Sequence, residues 1–317
     1  MPRPVDLLIA GTPRSGTTLV QRLASELEGV RVPPETHFFS EFLPDLARRR
    51  RFPLAGAELD AELDRFAARP YLAGVGLDPR AVADALGGRA EDAVDLFCAV
   101  VDHLAGPGAR LVGEKTPGHL AWWRPLASAL PALKVVAVVR DPRAVVASFA
   151  RLGWGGDPLQ NAARWDADAA AALAARAGLG AARCLLLRYE DVVADPDAAR
   201  AALAGLLGAG VAGGGAGDAG GLFPAWESWK ARAGADVDAA RATAWRTELD
   251  PALAGAVAAV CRRRMAALGY DAPAPPEAVA RLARLGPASL ARRLARRARN
   301  ARTTVTVARL SKGWRPR

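Results

Sequence analysis

The chain opens with an apolar run, Val5 to Ala10, that ends at a glycine. A run whose one polar residue is Asp6, with no regular alternation, predicts a strand buried on both faces of a parallel sheet. Gly11 to Thr18 is a turn rich in Gly, Ser and Thr, and from Thr17 the positions Leu19, Leu23 and Leu27 take helical spacing. Val30-Arg31-Val32 predicts a second short strand, stopped by Pro33 and Pro34, so Glu35 and His37 fall on a loop at its end. Residues 38–105 are mostly helical in pattern, broken at Pro44, Pro53, Pro70, Gly74, Gly76 and Gly87-Gly88. We read them as a helical insert that covers the site.

Arg110 to Gly113 predicts a further strand, followed by Glu114-Lys115-Thr116-Pro117 and a helix from Gly118 to Leu130. Leu133 to Val139 (LKVVAVV) is the clearest buried strand. It runs into Arg140-Asp141-Pro142-Arg143 and a helix through Arg151, with Pro142 suited to a first helical turn. An Ala-rich helix at 158–177, a strand at Cys184–Leu187, and a helix that follows Arg188-Tyr189-Glu190-Asp191 and fades near Gly208 extend the alternation. Residues 208–221 are almost all Gly and Ala and predict a flexible loop. A short segment, Phe223–Ala231, precedes a long helix at 238–268, and Pro273–Pro276 closes the folded body. Strands alternating with helices predict an α/β fold, a P-loop-like central parallel sheet flanked by helices. We expect one domain, 1–276, that contains the 38–105 insert, and a basic C-terminal extension, 277–317.

Composition changes this picture mainly through charge. A chain of 317 residues with 51% hydrophobic content is ample for one large core. It has no run of 18 apolar residues to span a bilayer, and with the first strand so near the start no signal peptide is expected. Cys98, Cys184 and Cys261 are widely separated, which predicts buried thiols in a reducing compartment, so a cytoplasmic location is expected. Of 43 basic and 33 acidic residues, twelve basic and one acidic lie in 277–317, leaving 31 basic against 32 acidic in 1–276. The body is neutral and the tail is basic. The stretch PASLARRLARRARNAR (287–302) reads as a solvated tail, as a segment lying on an anionic membrane surface, or as a nucleic-acid contact. No nucleic-acid partner is expected for the protein as a whole; membrane association through the tail and a homodimer stay open.

A strand, a small-residue loop and a helix start together wrap an anion, because loop N–H groups and the helix dipole converge on one spot. The spacing nearly meets G-x-x-x-x-G-K-[ST]: Gly11, Gly16 and Thr18 fit, but Thr17 stands at the Lys position and the cation is Arg14, inside the loop. That argues against ATP or GTP hydrolysis but not against a phosphorylated ligand. Arg14, Glu35, Lys115, Arg140 and Tyr189 all fall at strand ends, the edge where open α/β sheets bind ligands. Three cations at apolar strand ends are costly to desolvate without an anion, so the set predicts an anionic nucleotide.

Four motifs in order resemble a PAPS-dependent sulfotransferase, the class that uses 3′-phosphoadenosine 5′-phosphosulfate. TPRSGTT (12–18) resembles the 5′-phosphosulfate loop, RDPRAVVAS (140–148) the 3′-phosphate motif, and RYEDVVADP (188–196) and EKTP (114–117) further hallmarks. The resemblance implies that Arg14, Ser15, Gly16, Thr17 and Thr18 cradle the phosphosulfate, that Arg140 and Ser148 hold the 3′-phosphate, and that Tyr189 lies near the nucleotide. It implies Lys115 near the leaving phosphate. The branch it resembles includes protein-tyrosine and some bacterial carbohydrate or lipid sulfotransferases. In the tyrosine-directed enzymes the base is a Glu 21 residues after the loop Arg and followed by Thr, which maps onto Glu35 and Thr36. His37 is the alternative base; His103 and His119 have no supporting motif. The family's C-terminal basic loop has only a poor match, at Lys230, Arg232 and Gly234.

The implied reaction is transfer of a sulfuryl group to a hydroxyl or amine of a small-molecule, carbohydrate, lipid or peptide acceptor. Glu35, Arg14 and Lys115 are its catalytic residues and no metal is expected. The alternatives are an atypical P-loop kinase and a catalytically inactive nucleotide-binding or interaction protein.

Overall fold

A computed structural model of the chain describes residues 2–154, 156–211 and 239–271. The first apolar run forms β1 (Leu7–Gly11), buried at every position, and the loop after it enters α1 (Thr17–Ser25) and then β2 (Val30–Arg31). A π-helical turn, Phe38–Phe42, runs into α2 (Leu43–Arg49). There follow β3 (Leu54–Ala55), α3 (Ala57–Ala67), a 3₁₀ turn at Pro70–Leu72, α4 (Pro79–Ala85) and β4 (Arg89–Ala90). Helix α5 (Ala93–Ala105) leads to β5 (Leu111–Lys115); a 3₁₀ turn, Pro117–Trp122, and α6 (Trp123–Ala129) lead to β6 (Lys134–Val139). Helices α7 (Pro142–Arg151) and α8 (Pro158–Leu179) precede β7 (Cys184–Arg188), α9 (Tyr189–Ala194) and α10 (Pro196–Leu207). The last described segment holds α11 (Trp245–Glu248) and α12 (Pro251–Ala267).

Five strands make one parallel sheet in the order β2-β5-β1-β6-β7. The two central runs divide their side chains between two cores. Leu8 and Ala10 of β1 and Val135, Ala137 and Val139 of β6 face the larger one, shared with α2 to α8 and α12. Leu7, Ile9, Val136 and Val138 face the smaller one, under α1, α9 and α10. This is a three-layer α/β arrangement, and each buried Val or Leu contributes about 1.5–3 kcal/mol relative to exposure. From β1 the chain turns to β2 on one side of the sheet, and from β6 it turns to β7 on the other. The crevice between the carboxyl ends of β1 and β6 is therefore a topological switch point, where such sheets bind ligands.

Aspartate followed by proline opens five helices: Asp78-Pro79, Asp141-Pro142, Asp157-Pro158, Asp195-Pro196 and Asp250-Pro251. Each carboxylate accepts from an N–H of the first turn, while proline supplies the helical φ and has no N–H to leave unpaired. The same chemistry corrects two predicted helices. The span 238–268 breaks into a 3₁₀ turn, α11 and α12, and the helix after Arg188 splits into α9 and α10. A proline cannot sit in a helix interior, and the residue before it is pushed to extended backbone. The antiparallel pair β3–β4 within 38–105 also departs from the mostly helical expectation.

Among the described residues no helix is long and apolar enough to cross a membrane. The Gly/Ala stretch from 212 onward, Phe223–Ala231, the segment with Lys230, Arg232 and Gly234, Pro273–Pro276 and the 277–317 tail lie outside the described residues.

Candidate active site

Gly11 ends β1 where nothing larger fits: an added Cβ would lie 2.2 Å from the carbonyl oxygen of Val138. The chain then turns, with Ser15 N–H donating to Thr12 O at 3.1 Å and Arg14 in left-handed backbone (φ 74°). Gly16 (φ 92°) is the N-cap of α1, and no side chain caps that helix. A Cβ on Gly16 would meet the Tyr189 ring at 2.4 Å, so the loop is pressed against β7's exit. The buried hydroxyl of Ser15 has no hydrogen-bond partner among the described residues. Uncapped helical N–H groups beside an unused buried hydroxyl make a donor-rich cradle for an anion.

Two guanidiniums close this cradle. Arg140, at the end of β6, donates from Nη1 to Arg14 O at 3.0 Å and from Nη2 to Arg241 O at 2.5 Å. Its guanidinium lies 4.2 Å from the Tyr189 ring centroid, and its own carbonyl accepts from Trp165 Nε1 at 2.7 Å. Arg140 Nε is buried with no partner among the described residues. Arg14 donates from Nε to Ser148 Oγ at 3.2 Å and lies over the Trp154 ring at 5.7 Å. Burial pulls both guanidiniums below the usual arginine range; Arg140 and Arg151 lower Arg14 further, and Arg151 lowers Arg140. Clustered, desolvated cations favour an anionic ligand as their partner.

The other half of the site is built on β5 and the loop after β2. Lys115 is wholly buried, and its ammonium is paired with Glu35 Oε1 and lies 3.4 Å from Thr18 Oγ1, in the first turn of α1. Glu35 Oε2 faces His37 Nε2 at 3.3 Å, and His37 Nδ1 lies 3.6 Å from Glu41 Oε1. His37 takes left-handed backbone (φ 50°) and its N–H donates to Thr116 Oγ1 at 3.2 Å.

Beneath this pair lies a polar network that no sequence motif revealed. Glu35 and Lys115 form the ion pair of the site, while their neighbours Thr36, Glu114 and Thr116 bond to one another in the interior. Glu114 Oε1 accepts from Thr116 at 2.6 Å and from Thr36 at 3.0 Å, and Oε2 lies 2.9 Å from His119 Nδ1. Phe39 N–H donates to His119 Nε2 at 3.1 Å, so Nδ1 carries the proton that faces Glu114. Burial pushes the Glu114 carboxyl up, but the His119 ring and the bonds from His119, Thr116 and Thr36 outweigh it and hold it below the usual range. The residues that follow Glu35 and Lys115 are thus tied together in the interior by the carboxylate of Glu114. His119, which lacked a motif, is a buried member of that network.

The structure brings Arg14, Arg140, Ser148 and Tyr189 together on one side of the loop and Lys115, Glu35 and Thr18 on the other. The three cysteines are buried thiols outside any disulfide; burial pushes Cys98 up to about 12 and Cys184 to about 11, so both stay protonated. Among the described residues no group of His, Cys, Asp and Glu is arranged to hold a metal ion.

A parallel sheet with a donor-rich loop at its switch point is an architecture suited to receiving an anion. Residues 6–211 match the model of the Sulfotransferase family, and the chain belongs to that family. Its class of reaction is sulfotransfer, and the kinase alternative has no support. Two solved structures share the fold. The sulfotransferase domain from the Synechococcus PCC 7002 olefin synthase is 24% identical, with TM-score 0.56, over 86% of this chain and 96% of that one. The sulfotransferase domain from the curacin biosynthetic pathway is 20% identical, with TM-score 0.57, over 86% of this chain and 100% of that one. No curated protein sequence matches the chain.

Proposed function

We propose that the protein transfers a sulfuryl group from 3′-phosphoadenosine 5′-phosphosulfate to a hydroxyl or amine of a small-molecule, carbohydrate, lipid or peptide acceptor. The observation that carries this reading is the buried Lys115–Glu35 pair beside Thr18, at the mouth of a loop whose Ser15 hydroxyl and helical N–H groups await an acceptor of hydrogen bonds. The donor supplies a sulfuryl group activated by its anhydride link to a phosphate. The residues present fit such a group: Ser15, Gly16, Thr17 and Thr18 would hold its 5′ end, Arg140 and Ser148 its 3′-phosphate, and Tyr189 would flank it.

Glu35 takes the acceptor's proton as the acceptor oxygen or nitrogen bonds to sulfur, which requires hydrogen-bond reach between the two. Lys115, Arg14 and the loop N–H groups stabilise the charge that builds on the leaving phosphate oxygen. As in phosphoryl transfer, positioning and electrostatics supply most of the catalysis, and the cations neutralise the oxygens. A binding-only protein is disfavoured by Glu35 itself, since a carboxylate beside bound phosphates weakens their binding.

Isothermal titration with 3′-phosphoadenosine 5′-phosphate, ATP and AMP tests the donor. The bisphosphate is expected to bind in clear preference to ATP and AMP, and Arg140→Ala to weaken it by about 10- to 100-fold, the loss of a charge-assisted contact. Preference for ATP, or an unchanged affinity in Arg140→Ala, would overturn the assignment.

A further inference from the structure

A base that accepts a proton must also lose it, and Glu35 is only 9% exposed, with Lys115 on Oε1. Its second oxygen faces His37 Nε2 at 3.3 Å. On the far side of the ring, Nδ1 stands 3.6 Å from Oε1 of Glu41, whose side chain is half exposed (51%). One imidazole therefore bridges a buried carboxylate and a solvent-facing one. We propose that His37 is a proton relay that connects Glu35 to solvent by way of Glu41. This rests on the reading of Glu35 as the base.

The backbone is shaped for the bridge. His37 adopts left-handed φ, its N–H is held by Thr116 and its carbonyl accepts from Glu41 N–H at 2.9 Å. The π-helical turn Phe38–Phe42 brings Glu41 back onto the ring, and such turns concentrate at functional sites. Side chains facing the ring are Glu35, Glu41 and Tyr71, whose ring centroid lies 4.9 Å away; Lys115 stands behind Glu35. Burial, with Glu41 adding to it, pushes the Tyr71 hydroxyl above its ordinary range, so it keeps its proton and does not compete.

The proton balance is closed. The acceptor's O–H or N–H bond breaks as its oxygen or nitrogen bonds to sulfur, and the proton passes to Glu35. Nε2 of His37 takes it, giving an imidazolium, the Nδ1 proton leaves to Glu41 and water, and proton exchange with water returns the ring to its Nδ1–H tautomer before the next turnover. No electrons are exchanged, and Glu35 returns to a carboxylate beside Lys115. The 3.6 Å gap is too long for a direct hydrogen bond, and a small rotation of the exposed Glu41 side chain or one bridging water spans it.

The chain has three histidines, so their ring ¹⁵N resonances are readily assigned. In the nucleotide-free protein, Glu35→Gln is expected to move the Nε2 resonance of His37 and Glu41→Gln the Nδ1 resonance. Failure of either to respond removes the bridge and overturns the relay. The kinetic arm uses His37→Asn, because Asn tolerates left-handed backbone. Release of 3′-phosphoadenosine 5′-phosphate from the phosphosulfate, with water as acceptor, is expected to fall by about 10- to 100-fold. Added imidazole should restore part of it, with affinity for the bisphosphate unchanged. Turnover within about twofold of wild type in His37→Asn, when Glu35→Gln has lost it, would overturn the relay alone. Wild-type turnover in Glu35→Gln would overturn the base assignment, and the relay with it.

Discussion

Glu35→Gln is expected to lower turnover of the phosphosulfate by on the order of 10²- to 10⁴-fold, the range for loss of a positioned general base. The substitution keeps the shape of the side chain and removes its ability to hold a proton. It also leaves Lys115, wholly buried, without the carboxylate that faces it. A buried ammonium that has lost its carboxylate destabilises the ligand-free protein, so its melting temperature should fall. A phosphate placed beside Lys115 replaces the missing anion. Saturating 3′-phosphoadenosine 5′-phosphate is therefore expected to raise the melting temperature of Glu35→Gln by more than it raises that of wild type. Paired thermal melts and turnover measurements separate two roles for this residue. Unchanged turnover would remove it as the base, and equal stabilisation of the two proteins would place the bound phosphates away from Lys115.

Glu114→Gln is expected to be the most destabilising conservative change near the site. Glutamine can still accept from Thr36 and Thr116 through its carbonyl oxygen, but its amide then points at the His119 Nδ1–H. Two donors face each other unless the ring changes tautomer, and then the Phe39 N–H loses its acceptor. Either way one buried donor goes unpaired, at a cost of up to about 3 kcal/mol. At roughly 2–4 °C per kcal/mol, the melting temperature should fall by up to roughly 6–12 °C. The wild-type advantage also depends on pH. Because the folded protein holds Glu114 below the usual carboxylate range, its contribution is complete above that range and is lost as pH falls through the lowered folded value. Melts of the two proteins should therefore differ by a constant amount near neutrality and converge in acid. A gap that widens in acid would show that the carboxylate is not the stabilising form.

The parts of the fold that could be read from the chain are those where one local pattern decides the outcome. LKVVAVV cannot be soluble unless both of its faces are covered, so β6 was evident, as was β1. The loop 12–16 was evident because Gly, Ser, Thr and Arg crowd a helix start. The breaks at Asp195-Pro196 and Asp250-Pro251 were written in the chain too, but helical periodicity runs through both and masks the proline. The strands β3 and β4 have two residues each, too few to show alternation. Side-chain partnerships were the least accessible. Arg14 and Ser148 are 134 residues apart, and Thr36 and Glu114 are 78 apart; no local pattern encodes either bond. The Glu114–His119 contact spans five residues around a 3₁₀ turn, where helical spacing gives no guide.

The strand order sets the sequence of assembly. Among the described residues Leu7–Gly11 pairs within the sheet with residues 113–115 and 134–138, so the first of the five strands to be made has no partner strand until more than a hundred further residues exist. The loop that receives the anion hangs from that strand. During synthesis, α1 and its apolar face wait unpaired, a period in which chaperone contact is most needed. Once β5 and β6 close on either side, the first strand of the sheet to be made becomes its centre, and its loop is among the last features of the site to be completed.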